Sequence, residues 1–396
     1  MNASVDVLIL NTAVLDLRSA DFTFADRLVG PGGLAKCPQS VMPAFSQDQF
    51  RNWIDAGCAT AGGPGNSAPL MARAGLRVAI GANLGRGAFD GLDIQGRSVV
   101  DLMTANGVDM SYVFVHPSLP TGTTFIHDTA GQERGGIAYF AGANDDFSFE
   151  RFRPVVERLA PAIVYYMYSG LSERGDAHEG RDLAAFMAWC RGRGCLTIAD
   201  AHTLCANPRD LISAGSGLEQ YALLSPLLPE LDIFFTSFDE ARLIHNTLGT
   251  PRAWDGRDED AEIGACLDLL LTRPPVSDAL MRLFGITVGD GAWERHTLPT
   301  GAYSAPAKIA SRFMGTDVID LVGAGDSFRA GLLSYVVRHA DAFRRRTMDV
   351  REAIQVGNLF ASRFVRAPLH DRYAGVRRFN DMLDVVRRAE KDRRYD

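Results

Sequence analysis

The sequence predicts an α/β protein in which a mainly parallel sheet is covered by helices on both faces. From residue 161 onward, short apolar runs alternate with helical segments, which is the rhythm of repeated βαβ units. The strands predicted there are 162–168, 195–200, 232–236 and 283–288. Late in this region a turn of three small residues, 323–325, leads directly into a helix. With 396 residues, 46% of them hydrophobic, the chain can bury a large core.

The first part of the chain adds further elements to this layout. Apolar runs predict strands at 5–10 and 77–81, and the segment 85–106 is predicted as a helix that ends at Asn106-Gly107. Two alternating segments, 121–128 and 136–140, are predicted as strands joined by a hairpin turn at Thr129-Ala-Gly-Gln.

Composition and charge argue against several classes of protein. Acidic residues outnumber basic ones, 48 to 41, and the net charge of −7 argues against nucleic acid as the main partner. The lysines are Lys36, Lys308 and Lys391, and none follows a glycine in a Gly-Lys-Ser/Thr run. Any nucleotide chemistry must therefore use a phosphate cradle other than a Walker P-loop.

The sequence carries no signal for export or membrane insertion, which indicates a cytoplasmic protein without a membrane partner. No apolar run approaches the length of a membrane span, and the run at 5–10 is too short for a signal peptide. None of the six cysteines belongs to a Cys-x-x-Cys pair or has a histidine at zinc spacing. We therefore expect reduced, mostly buried thiols.

The stretch from Asp320 to Gly331, Asp-Leu-Val-Gly-Ala-Gly-Asp-Ser-Phe-Arg-Ala-Gly, offers the strongest chemical signal. A small-residue turn that runs into a helix presents unpaired backbone N–H groups and the positive end of the helix dipole. Such a site suits an anion, above all a transferring phosphoryl group. Asp326 lies beside the turn, where a carboxylate can take a proton from an attacking hydroxyl. The alternative is an acidic residue that only favours the dipole, next to an ordinary glycine turn.

This stretch resembles the C-terminal signature of the ribokinase (PfkB) family of carbohydrate kinases, Asp-Thr-x-Gly-Ala-Gly-Asp-x-Phe-x-Ala-Gly. Leu321 replaces the Thr of that pattern. The resemblance implies that Asp326 is the catalytic base and that Gly323, Ala324 and Gly325 form the anion hole. It also implies a ribokinase-like three-layer α/β/α fold with a small β lid. On that basis the core is expected at 1–16, 61–110 and 146–396, and the lid at 17–60 and 111–145.

Three further segments resemble the acceptor end of the family. Asp16 lies where the family carries an Asp that binds sugar hydroxyls, and a carboxylate accepts two such protons at once. The alternative is a solvated loop residue. The run Ala61-Gly-Gly-Pro-Gly-Asn66 resembles the N-terminal signature, so Gly62, Gly63 and Asn66 are expected near the substrate, although Asn66 could instead cap the helix 67–74. Tyr139-Phe-Ala-Gly-Ala-Asn144 resembles the segment that borders the sugar, which adds Asn144.

The nucleotide end is carried by three other segments. Ser237-Phe-Asp-Glu240 corresponds to the family's Asn-x-x-Glu, in which the Glu organises the water shell of Mg²⁺ at the phosphates of ATP. A capping box, with Ser at the N-cap and Glu three residues on, explains both residues equally. Ile286-Thr-Val-Gly-Asp-Gly291 resembles the nucleotide loop, which assigns Thr287, Gly289 and Gly291 to ATP. Asn358 lies where the family often has an Asn near the adenine.

The sequence departs from the family in three places. His202 and Leu204 replace the Asn and Arg of a usual Asp-x-Asn-x-Arg segment that follows a strand. Phe364-Val-Arg-Ala-Pro does not match the segment that supplies monovalent-cation ligands, so a K⁺ site at Asp320 is left open. The segment 17–60 is longer than in a minimal family member. It is interpreted either as an enlarged lid or as a surface that packs against a partner subunit in a homodimer.

These features together favour an ATP- and Mg²⁺-dependent kinase that phosphorylates a hydroxyl of a small sugar or sugar-like polyol. A nucleoside kinase of the same fold, similar to adenosine kinase, is the nearest alternative. It would need an aromatic side chain to stack on the base, for which the lid region offers Phe22, Phe24, Phe45 and Trp53. A non-catalytic sugar- or nucleotide-binding regulator is the third interpretation.

Overall fold

An eight-stranded sheet forms the centre of the fold, and a five-stranded sheet lies beside it. The computed structural model describes residues 5–30, 32–127, 136–272 and 281–392. In these residues the strands are β1 Val7–Leu10, β2 Val14–Ser19, β3 Leu34–Lys36, β4 Ala59–Gly62, β5 Val78–Gly81, β6 Asn83–Phe89, β7 Phe114–His116, β8 Gly122–His127, β9 Ile137–Phe140, β10 Ile163–Ser169, β11 Leu196–Ala201, β12 Ile233–Ser237, β13 Leu283–Val288, β14 Gly291–His296 and β15 Ala307–Ala310.

The helices of the described chain lie mainly between the strands of the large sheet. They are α1 Gln47–Asp55, α2 Ala68–Arg73, α3 Ile94–Thr104, α4 Phe149–Leu159, α5 Arg181–Arg191, α6 Pro208–Ser213, α7 Leu224–Leu227, α8 Phe238–Leu248, α9 Glu259–Leu271, α10 Ala324–Arg338, α11 Ala340–Arg344, α12 Val350–Val365 and α13 Phe379–Asp392. None of them has both the length and the apolar character needed to cross a membrane.

The large sheet has the strand order β15-β14-β13-β12-β11-β10-β1-β5. Strands β5, β1 and β10 to β13 are parallel, while β14 and β15 add an antiparallel edge. Alternate side chains of these strands enter two separate hydrophobic cores, one with α10 and α12 and the other with α4, α5, α8 and α9. The near-continuous apolar strands are therefore buried on both faces, as the sequence predicted.

The small sheet has the order β3-β9-β8-β2-β4. Its register sets Asp16 opposite Thr124, and Thr124 opposite Tyr139, so these polar side chains form a row on one face. Strands β2 and β4 run across the boundaries expected at residues 16 and 60. The small sheet therefore includes Asp16 and Gly62 themselves.

The opposite face of the small sheet is covered by aromatic side chains from the long 17–60 segment. Phe22 lies 5.1 Å from Phe125 and 4.9 Å from Trp53 between ring centroids, and Phe24 and Phe45 each lie 5.3 Å from Phe125. These rings pack within the chain, and the lid role of this segment stays a prediction. Homodimer formation stays a prediction.

One predicted element is wrong. Residues 85–89 belong to strand β6, and the helix α3 begins only at Ile94. Asp93 caps this helix by accepting a hydrogen bond from the Gly96 N–H at 2.7 Å. A Cβ at Gly85 would lie 2.3 Å from an oxygen of Asp93. Glycine at this position therefore lets the Asp93 side chain approach the backbone of β6 closely. The hairpin turn predicted at 129–132 lies outside the described residues, although β8 and β9 beside it pair antiparallel as predicted.

Candidate active site

A cavity of about 600 Å³ lies between the small sheet and the carboxyl ends of strands β10 to β13. Tyr168, His202 and Thr287 line the side of the large sheet, and Asp16 and Thr124 line the side of the small sheet. The turn before α10 completes the wall. Parallel sheets bind ligands at this edge because the loops after neighbouring strands converge there.

The start of α10 presents a turn of small residues to the cavity. Gly323 is the N-cap residue, with a left-handed φ of 89°, and no side chain caps the helix. A Cβ on Gly323 would lie 2.8 Å from the Asn66 carboxamide, so only glycine fits there. Ala324 and Gly325 follow in the first turn, where N–H groups lack intrahelical partners, and all three residues line the cavity.

Asp326 is buried at the base of this turn and has three hydrogen-bond donors. Tyr168 Oη donates to Oδ2 at 2.5 Å, Asn66 Nδ2 donates to the same oxygen at 3.1 Å, and Arg329 Nη2 donates to Oδ1 at 2.7 Å. Donors from three parts of the chain hold the carboxylate at the cavity wall. An acidic residue that only favours the helix dipole would not need these three side-chain donors.

Asp16 is buried rather than solvated, so the loop interpretation is wrong. Its Oδ1 accepts a hydrogen bond from Thr124 Oγ1 at 2.5 Å, and burial raises the pKa of its carboxyl group. A Cβ on Gly62 would lie 2.3 Å from Asp16 Oδ1, so Gly62 makes room for this carboxylate. Gly63 lines the cavity with a φ of +56°, and a Cβ there would meet the Thr12 carbonyl oxygen at 2.0 Å.

Asn66 and Asn144 have different surroundings. Asn66 does not cap α2, whose N-cap is Ser67 without a side-chain bond, and instead faces Asp326. Asn144 is fully buried, donates to the Ala13 carbonyl at 3.0 Å, and is not among the described residues that line the cavity. We therefore do not include Asn144 in the proposed substrate site, because its amide group binds the backbone at Ala13.

The predicted nucleotide residues line the other end of the same cavity. They are Ser237, Thr287, Gly289, Gly291 and Asn358. Gly291 has a φ of +152°, and a Cβ there would lie 2.4 Å from the Ile309 carbonyl oxygen, so glycine is required where β13 turns into β14. Asn358 on α12 donates to Gln355 Oε1 at 3.4 Å.

Glu240 and Ser237 form the capping box that the sequence left as an alternative. Ser237 Oγ accepts from the Glu240 N–H at 3.3 Å, and Glu240 Oε2 accepts from the Ser237 N–H at 2.8 Å. Hydroxyl groups of Thr236 and Thr203 also donate to this carboxylate, at 2.8 and 3.1 Å. Glu240 nevertheless lines the cavity, so capping does not remove it from the site.

A divalent cation fits this end of the cavity through one carboxylate. No cluster of three or more His, Cys, Asp or Glu ligands occurs among the described residues. Mg²⁺ usually keeps several waters and is held by one or two carboxylates together with substrate phosphates. Glu240, fixed by its donors and facing the cavity, suits the ordering of such a water shell.

Potassium does not fit at Asp320. Arg18 Nη1 lies 2.8 Å and Arg372 Nη2 lies 3.4 Å from Oδ2, and the Val322 N–H donates to Oδ1 at 2.9 Å. Both guanidinium groups are buried. Their positive charges oppose a further cation at this carboxylate, so the K⁺ site left open by the sequence is not carried forward.

Sequence reasoning missed Tyr168, Arg329 and Tyr139. Tyr168 has a left-handed φ of 61° at the end of β10, where the register with β11 shifts. No sequence pattern signals that conformation. Tyr139 could have been found, because strand alternation sets it in the same row as Thr124 and Asp16. Arg329 was visible as a charged residue in an otherwise apolar helix.

The aromatic residues considered for base stacking do not reach the cavity. Phe22, Phe24, Phe45 and Trp53 are not among its described lining residues, since they pack on the other face of the small sheet. The rings beside the acceptor end belong to Tyr139, Tyr168 and His202, and the last two make an edge contact at 4.2 Å between centroids.

Comparisons with known proteins found a sequence family and several solved structures that resemble the chain. A sequence profile described as pfkB family carbohydrate kinase matches residues 56–268 and 306–369. Asn66, Glu240 and Asp326 fall inside the matched ranges, while Asp16 and Thr287 fall outside them. No curated protein sequence matches the chain.

Several solved structures share the fold. An adenosine kinase from Schistosoma mansoni in complex with 2-fluoroadenosine is 15% identical, with 93% of this chain and 97% of that chain covered and a TM-score of 0.65. A fructokinase with bound ATP from Xylella fastidiosa is 16% identical, with coverage of 97% and 99% and a TM-score of 0.63. A PfkB protein from Polaromonas sp. JS666 is 17% identical, with coverage of 96% and 99% and a TM-score of 0.59. The predicted ribokinase-like three-layer α/β/α fold is confirmed.

The backbone geometry of the anion-binding turn is testable by stability alone. Gly323→Ala should lower the free energy of unfolding by about 1–3 kcal/mol, because it forces a left-handed alanine against Asn66. Gly289→Ala is the matched control, since nothing lies within 4 Å of its added Cβ, and it should be nearly neutral. Urea denaturation measures both, and equal losses would contradict the strain argument.

Proposed function

The chain belongs to the pfkB family of carbohydrate kinases and is therefore a phosphotransferase, and we propose that it transfers the γ-phosphoryl group of ATP to a hydroxyl of a small sugar or sugar-like polyol. One observation carries the proposal. A buried carboxylate, a helix-start anion site and a second buried carboxylate, Asp16, all line a single cavity.

Asp326 is the proposed general base. Its Oδ2 already receives a hydroxyl hydrogen bond, from Tyr168, so this oxygen is oriented to accept a proton from an alcohol. The N–H groups at the start of α10 would stabilise negative charge on the transferring phosphoryl oxygens. Both groups are preorganised, because the protein holds them before substrate arrives.

The acceptor is proposed to bind against the polar row of the small sheet. Asp16 and Thr124 are joined by a hydrogen bond, and Tyr139 lines the cavity in the same row. Buried polar groups are costly unless a ligand or water satisfies their remaining hydrogen bonds. Sugar hydroxyls supply the donors that a buried carboxylate such as Asp16 accepts.

The nucleotide is proposed to lie at the other end, against Thr287, Gly289, Gly291 and Asn358. Ser237 and Glu240 would face the phosphates, and Glu240 would order the water shell of a Mg²⁺ ion. When bound, Mg²⁺ neutralises part of the charge on the β- and γ-phosphates. Movement of the small sheet as a lid would exclude water and limit ATP hydrolysis without transfer.

A nucleoside is the second candidate acceptor. Leu34, Ile137 and Leu171 line the cavity close to the polar row, which offers an apolar surface beside Tyr168 and His202. A base or another apolar substituent on a ribose would fit such a surface, whereas a bare polyol would leave it uncovered.

The proposal is tested by measuring ATP consumption over sugars, sugar acids and nucleosides. Wild type should show acceptor-dependent turnover, and Asp326→Asn should lower kcat about 10²–10⁴-fold, the loss typical of a missing general base. The variant should fold and bind ATP like wild type. Full activity of Asp326→Asn on the best acceptor would refute the assigned base, and absence of acceptor-dependent turnover with all three classes would refute the function.

Glu240→Gln isolates the charge of Glu240 from its capping role. Glutamine can still complete a capping box, so stability should change little. The Mg²⁺ concentration for half-maximal rate should rise, because the carboxylate that orders the water shell is lost. An unchanged Mg²⁺ dependence would show that Glu240 acts only as a cap.

Asp16→Asn should weaken use of the acceptor selectively. Loss of a buried acceptor of hydroxyl protons should cost roughly 1–3 kcal/mol, or about five- to 150-fold in acceptor kcat/KM. The KM for ATP should hardly change, because the nucleotide lies at the other end of the cavity. Asp21→Asn, at an exposed position near the end of β2, is the control. A raised KM for ATP, or unchanged acceptor kinetics, would contradict the assignment.

A further inference from the structure

Arg329 lies one turn after Asp326 in α10, and its side chain is buried. Nη2 donates to Asp326 Oδ1 at 2.7 Å and lies 2.6 Å from Asp200 Oδ2, while Nη1 donates to the Phe235 carbonyl at 3.1 Å. The signature described above leaves this position open to any residue. The proposed mechanism likewise gives Arg329 no role.

Asp200, the second carboxylate on Arg329, also supports the other side of Asp326. Its Oδ1 accepts the Tyr168 N–H at 2.7 Å, which holds that residue in its left-handed conformation. In this conformation Tyr168 Oη reaches Asp326 Oδ2 at 2.5 Å. Arg329 therefore contacts Oδ1 of the base directly, and through Asp200 it contacts the residue that orients Oδ2.

The charges in this cluster depend on Arg329. One guanidinium lies between two carboxylates that are removed from water, and Tyr165 Oη adds a neutral donor to Asp200 at 2.8 Å. Burial raises the pKa of Asp200 to about 6, although Arg329 acts in the opposite direction. Asp16 contributes further negative charge nearby. Without the guanidinium, two buried carboxylates would repel each other, and the ionised pair would be disfavoured.

We infer that Arg329 is a positioning residue for the transfer, because it fixes Oδ1 of Asp326 and supplies the opposite charge beside that carboxylate while Oδ2 faces the acceptor. This inference rests on the proposed function. In the step it supports, the acceptor proton passes to Oδ2 as the acceptor oxygen bonds to the γ-phosphorus. The bond from that phosphorus to the bridging oxygen then breaks, and ADP leaves. Arg329 exchanges no proton, since its guanidinium stays charged.

The pH dependence of kcat separates this role from simple packing. In Arg329→Met the Asp326 carboxylate loses the opposite charge that lies 2.7 Å from Oδ1. An opposite charge at such a distance favours the charged form of a carboxylate, so the acidic limb of the kcat profile should move to higher pH, by about one unit or more. The deficit should be largest, about tenfold or more, below neutral pH and should shrink as pH rises. Arg329→Lys keeps the positive charge but loses the planar guanidinium group. Its kcat profile should therefore lie between those of wild type and Arg329→Met.

Arg282→Met is the matched control. Arg282 is also buried, donates to the Leu228 carbonyl at 2.8 Å, and is not among the described residues lining the cavity. Its removal should lower thermal stability and leave the kcat profile in place. An unshifted profile in Arg329→Met, or the same shift in Arg282→Met, would overturn the inference. All rates are measured well below the unfolding temperature of each variant.

A double-mutant cycle tests the contact without any turnover. Thermal unfolding is compared for Arg329→Met, Asp326→Asn and the double variant. If Arg329 neutralises Asp326, Asp326→Asn should lower the thermal stability less in the Arg329→Met variant than in wild type. Strict additivity would overturn the inference. If wild type is inactive on every acceptor but coupling is found, the proposed function fails while the charge contact stands.

Discussion

The buried carboxylate of Asp326 joins the elements that make up the site. Tyr168 reaches it from the end of β10, Asn66 from the turn before α2, and Arg329 from its own helix. A buried charge is costly unless it is paired and hydrogen-bonded. These segments must therefore be in place together, and the glycine turn at the start of α10 is positioned by the same contacts.

Other carboxylates around the site follow the same rule. Asp320, partly buried just before the turn, is held by Arg18 and Arg372, and Asp200 shares Arg329 with Asp326. Each group combines carboxylates with guanidinium groups rather than with lysines, and the guanidinium stays ionised when buried. Arg18 and Arg372 thus anchor the loop on one side of the turn, while Arg329 holds the reacting side.

The small sheet serves two purposes with its two faces. One face carries the row formed by Asp16, Thr124 and Tyr139 toward the cavity. The other is covered by the rings of the long segment that follows β2 and packs around Phe125. Because this face is packed against these rings, the sheet can keep the spacing of its polar row.

The sequence by itself determined the fold class, the parallel strands and the glycine turns that line the cavity, because apolar periodicity and glycine turns depend on local physics. It also located Asp326 and Asp16, since their motifs are contiguous or directly follow a strand. It did not locate Tyr168 in the site, and it assigned Asn144 to the substrate and the start of β6 to a helix. The contacts of Tyr168 and Asn144 join segments more than a hundred residues apart, and the start of β6 is decided by pairing with another strand. Only the tertiary structure decided which charged side chains pair, including the pairing of Asp320 with two arginines. Charge pairing depends on proximity in space, and it produces no periodic pattern in the sequence.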